Sequence, residues 1–164
     1  MKKLFIIFLM IAAFAALSFN VFAAGTAEQL VTFTIGASNE LSVSGAPGLL
    51  EILAAAAGED PIPVTDSNTS ISYSTNSSNK KITGDVDLDM PAGVTLQVHI
   101  ASPGGAQGIS QGAQPLSVTS ADLVTGISKA AVQDATITYT LSATTSADPV
   151  DNATRTVTFT MTAD

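Results

Sequence analysis

Three carboxylates at alternate positions, Asp85, Asp87 and Asp89 within Gly84-Asp85-Val86-Asp87-Leu88-Asp89, are the closest approach to a ligating pattern in this chain. On an extended strand, alternate side chains share one face about 6.8 Å apart, two rises of about 3.4 Å. Like charges so placed repel, and a hard cation such as calcium would relieve them. A solvated strand face that discourages edge pairing carries the same pattern, because calcium sites usually collect loop backbone oxygens as well. His99 is the single histidine. Its alternation with Thr95 and Gln97 turns it to solvent, and no Gly-x-Ser-x-Gly nucleophile turn accompanies it. Gly104-Gly105-Ala106-Gln107-Gly108 lacks the Lys-Ser/Thr and the helix of a phosphate cradle and reads as a flexible loop. Asn68, Asn76 and Asn152 head Asn-x-Ser/Thr sequons in predicted loops, which makes them candidate glycosylation sites in a host with that machinery. Lys80, Lys81 and Lys129 are candidates for isopeptide links that sequence alone does not pair.

Strands are what must carry these residues. Thr154, Thr156, Thr158, Thr160 and Thr162 alternate with Arg155, Val157, Phe159 and Met161, and Thr136 to Ala143 repeats the pattern. Period-two alternation is the mark of a half-buried strand, with threonine keeping strand propensity on the wet face. The turn residues between these two segments predict an antiparallel hairpin with a long loop. Further strands are expected at Leu30 to Ile35, Leu41 to Val43, Leu49 to Leu53, Ser70 to Ser74, Lys81 to Leu88, Val94 to Ile100 and Leu116 to Val118. Ala121 to Ile127 reads as a single helical turn capped by Ser120. About eight short strands with turn signals between them predict an all-β, two-sheet antiparallel β-sandwich of Greek-key or jelly-roll wiring with little helix.

The first residues supply an address. Lys2 and Lys3 precede an apolar run from Leu4 to Leu17, and Val21-Phe22-Ala23 places small residues where a signal peptidase reads. Residues 1–23 are thus expected to be a signal peptide and 24–164 a single secreted domain. The chain carries 14 acidic residues against 6 basic ones, and two of the basic residues leave with the leader. That acidity disfavours nucleic acid and anionic membrane surfaces as partners. There is no cysteine, which removes disulfides, thiol catalysis and zinc-thiolate or iron–sulfur sites together. Tryptophan is absent and tyrosine occurs twice, an aromatic poverty that weighs against sugar stacking. No cofactor is called for apart from the calcium reading of the aspartate row.

A leader followed at once by a Thr/Val strand, then a low-aromatic sandwich ending in a threonine-alternating strand, resembles the camelysin-like biofilm-fibre proteins and, more loosely, donor-strand pilins. Unlike many chaperone-assembled pilins, the chain has no cysteine pair. The resemblance implies an N-terminal donor strand and an acceptor groove, and carries no site residues across. The segment 24–38 is the donor expected on this reading, with Leu30, Val31, Phe33 and Ile35 as its assembly residues. The predicted function is a non-enzymatic secreted subunit of an extracellular filament whose partner is a second copy of itself. The alternative is a monomeric adhesion or ligand-binding sandwich using the Asp85 to Asp89 face, with calcium, or the Ser102 to Gln114 loop.

Overall fold

The computed structural model describes Gly25–Asp164, so the leader and its cleavage site lie outside the described residues. Nine strands follow in order: β1 (Asn39–Ser44), β2 (Val64–Thr75), β3 (Lys80–Val86), β4 (Val94–Ile100), β5 (Ile109–Ser110), β6 (Gln114–Pro115), β7 (Ala121–Ile127), β8 (Ala130–Ala143) and β9 (Val157–Ala163). A 3-10 turn at Gly105–Gln107 is the sole helical element among the described residues. The strands form two antiparallel sheets, β1-β2-β8-β4-β6 and β5-β7-β3-β9, packed face to face as a β-sandwich. Among the described residues no helix is long and apolar enough to cross a membrane.

Alternation builds the core. In β4, Leu96, Val98 and Ile100 are buried while Thr95 is exposed, as the period of two requires. Ile71 and Tyr73 of β2, Ile82 and Val86 of β3, and Val132, Ala135, Ile137 and Tyr139 of β8 complete one continuous cluster with Leu123, Val124 and Ile127 of β7. The packing is close at Gly84, where an added Cβ would lie 2.7 Å from Leu123 Cδ1. A side chain there would push the fully buried Leu123 aside, so glycine is favoured by packing rather than by its dihedral angles.

Several expectations are corrected by the topology. β8 pairs with β2 and β4, whereas β9 pairs with β3, so the two threonine-alternating segments belong to opposite sheets and form no hairpin. Their loop is an arch that crosses the sandwich; sequence alternation fixes which side chains face inward but not which strand is the neighbour. Ala121–Ile127 is a strand instead of a helical turn. Its adjacent buried Leu123 and Val124 break the alternation because the β3 pairing shifts register there, and Gly126 has φ of 69°. Leu49 to Leu53 carries no ladder, and its neighbourhood contributes one isolated bridge, Ala55 to Pro61. In place of a strand at Leu116 to Val118, the short strands fall at β5 and β6. The predicted strand Leu30 to Ile35 is likewise unpaired, and the first ladder begins at Asn39.

Candidate assembly site

The residues Leu30, Val31, Phe33 and Ile35 are exposed by 92%, 71%, 80% and 79%. The chain divides after Thr34, and Gly25 to Ser38 belongs to no strand. From Gln29 to Asn39 the sequence carries no charge. An alternating, uncharged, β-branched segment has strand propensity, yet a strand forms only against a ladder partner and an apolar face that covers it. Where this arm joins the sandwich it is held by Asn76, whose backbone N–H donates to the Ser38 carbonyl at 3.2 Å and whose side chain adds two bonds. Asn76 Oδ1 accepts from the Ser38 N–H at 2.9 Å, and Asn76 Nδ2 donates to the Gly36 carbonyl at 2.7 Å. That junction lies beside the β2–β3 turn, at the end of the sandwich where β9 also finishes, because Asn39 pairs with Thr75 and Lys80 with Ala163.

The two flanks of the sandwich differ. On one, β5 and β6 are two residues long, and Pro115 in β6 has no N–H to offer. Short strands and proline are the usual ways to blunt an edge. On the other flank, β9 presents seven residues, pairs with β3 on one side and, among the described residues, leaves its second side free. Its inward side chains Val157, Phe159 and Met161 are only half-buried, although they pack against the core cluster. Close to β9 in the other sheet stands β1, whose Leu41 is half-buried and whose Val43 is 44% exposed even though it pairs with the fully buried Ile71. Among the described residues β9 is thus the edge strand of its sheet, with a ladder partner on one side only.

The aspartate row ties the end of β3 to both of its neighbours. β3 ends at Val86, so Asp87 and Asp89 lie beyond it, and the three carboxylates take separate partners. Asp85 Oδ2 accepts from Ser120 Oγ at 2.6 Å, Asp87 Oδ1 from the Thr156 N–H at 2.9 Å, and Asp89 Oδ1 from the Val118 N–H at 3.1 Å. The backbone N–H of Thr156 holds the Asp87 carboxyl below the ordinary carboxylate range. Arg155 donates from Nε and Nη2 to the Asp89 carbonyl at 3.1 and 2.8 Å, so the entry to β9 is fastened twice. At its other end Asp164 accepts from the Gly126 N–H at 2.8 Å and donates its own N–H to the Asn79 carbonyl at 2.9 Å. Among the described residues no group of three or more His, Asp or Glu side chains is gathered as metal ligands.

The remaining candidates are dispersed. His99 sits half-buried on the outer face of β4, opposite Thr138. The glycine-rich loop is tied down by Tyr73, whose hydroxyl donates to the Gln107 carbonyl at 2.7 Å. Lys81 pairs with Asp122 at 3.0 Å on the surface. Asn152 is exposed in the arch between β8 and β9. Asn68 lies within β2 rather than in a loop, at the register shift between Asp66 and Thr69, where its Nδ2 donates to Asp66 Oδ2 at 2.7 Å. The open flank at β9 is not foreseen by reading the strands one at a time. Its signal is a near repeat, since Val31-Thr32-Phe33-Thr34-Ile35 and Val157-Thr158-Phe159-Thr160-Met161 differ only in their last residue. A scan of protein-family models and a search of curated proteins gave no match to this chain.

Proposed function

We propose that this protein is a non-enzymatic, secreted subunit of an extracellular filament, joined head to tail by donation of its N-terminal arm to a second copy. The observation that carries this reading is the exposure of Leu30, Val31, Phe33 and Ile35 together on one uncharged segment. Burying a large aliphatic or aromatic side chain is worth about 1.5–3 kcal/mol, so an arm with four such residues in water is driven toward an apolar groove. An arm on one molecule and a groove on the next form a heterologous contact, which propagates into an open polymer. The basic and apolar run of residues 2–17 supports export as the route to that location.

Size-exclusion chromatography and electron microscopy of the exported protein test the reading. Filaments are expected for the unaltered chain. Phe33→Asp places a charge in the buried face and is expected to abolish them while leaving the sandwich folded. A protein that stays monomeric at high concentration would instead favour the ligand-binding sandwich.

A further inference from the structure

We infer that the acceptor of the arm is the free edge of β9, and that the arm enters antiparallel with Phe33 opposite Phe159, Val31 opposite Met161 and Ile35 opposite Val157. This acceptor rests on the filament reading above and adds to it the docking edge, the register and the direction.

Three observations converge on this edge. Among the described residues β9 has a ladder partner on one side only, and the side chains of β9 and of the nearby β1, namely Leu41, Val43, Val157, Phe159 and Met161, are apolar ones left partly uncovered. An added strand beside β9 would satisfy its unpaired backbone groups and cover those side chains in one step. Charge selects the same pair of surfaces. In a chain of net charge −8, copies repel, yet Gln29 to Asn39 and Thr156 to Ala163 are both free of charged residues. They can meet without bringing carboxylates together. Finally, the arm and β9 share the same alternation, so their apolar faces match residue for residue once the central phenylalanines are opposed.

Direction follows from where the arm begins. Gly36 and Ser38 are held at the end of the sandwich where β9 finishes. A second copy stacked beyond that end in the same orientation presents the beginning of its β9 there. The arm then reaches Val157 of the neighbour with Ile35 and Met161 with Val31, which is antiparallel. An arm folding back on its own β9 would meet Met161 with Ile35 and run parallel. The two arrangements place different threonines side by side: Thr32 against Thr160 in the first, and Thr32 against Thr158 in the second.

The absence of cysteine makes the test clean. Chains secreted with their own leader and carrying Thr32→Cys alone are mixed with chains carrying Thr160→Cys alone, assembled and oxidised. Thr158 and Thr160 are exposed on the outer face, so these changes leave the core untouched. Residues directly opposite lie about 4.5–5.5 Å apart, within disulfide range, whereas the diagonal at about 7–8 Å is outside it. The expected result is filaments in which inter-chain disulfides join positions 32 and 160, at least about tenfold more abundant than those formed in the Thr32→Cys and Thr158→Cys mixture. Filaments that form without a disulfide between positions 32 and 160 would overturn the β9 acceptor and leave the filament reading standing. Absence of filaments at every concentration would remove both. A monomer with an intra-chain link in the Thr32→Cys/Thr158→Cys double variant would show the arm closing on its own sheet, which also overturns the inference.

Discussion

At the residue scale, the half-burial of Phe159 separates two contributions that a fully buried phenylalanine would merge. Truncating a buried phenylalanine costs about 3–5 kcal/mol. Because one side of Phe159 is still wet, Phe159→Ala is expected to cost the monomer about 2 kcal/mol in denaturant unfolding. Thr158→Ser, on the outer face, should cost under about 1 kcal/mol. Ile137→Ala, at a fully buried position, is the control and should exceed both. Asp87 makes a prediction of a different kind. Its carboxyl titrates lower in the folded protein than in the unfolded chain because it accepts the Thr156 N–H. A depressed folded value means that the stabilisation is fully present above the unfolded value of about 3.9 and is lost as pH falls through the folded one. Melting temperatures of the unaltered protein and Asp87→Ala should therefore differ at neutral pH and converge as the pH falls through the depressed folded value. A gap that stays constant as the carboxyl is protonated in acid would show that Asp87 does not act through its charge.

At the scale of elements, the chain between β8 and β9 is the most informative connection. Thr144 N–H donates to the Gly93 carbonyl at 2.8 Å and Thr145 N–H to Asp60 Oδ1 at 2.8 Å, so the arch is fastened to other loops before it crosses. Facing sheets lie about 10 Å apart, while neighbouring strands in one sheet lie about 4.8 Å apart. A two-residue Asn-Gly turn spans only the second distance. Replacing residues 145–153 by Asn-Gly should thus lose the cooperative unfolding transition, read by circular dichroism and urea titration. A hairpin between β8 and β9 would have tolerated the change. The alternation of these two strands was legible from sequence, as were the turn residues between them. Their separation into two sheets was not, because period-two patterning reports the buried face and says nothing of the ladder partner. The same limit explains β7, where the paired buried residues Leu123 and Val124 imitate helical spacing while in fact recording a bulge.

At the scale of the whole molecule, acidity opposes the proposed assembly. Each copy carries a strongly negative net charge, and copies brought together repel over a distance set by the Debye length, about 30 Å at 0.01 M salt and about 8 Å at 0.15 M. If subunits join through the uncharged arm and the β9 edge, raising salt from about 0.01 to 0.15 M should lower the concentration needed for filaments, measured by sedimentation. Assembly that weakens with salt would point instead to ion pairs at the contact. The all-β class, the inward faces of β4, β8 and β9, and the uncharged apolar arm could all be read along the chain, because each is a local pattern of period or composition. Three things came only with the fold: which strands adjoin, that the aspartate row ties the end of β3 to the segments entering both β7 and β9, and that β9 keeps a free edge while the arm joins no ladder. Those are facts of long-range pairing, and a backbone ladder is blind to the side chains that advertise a strand.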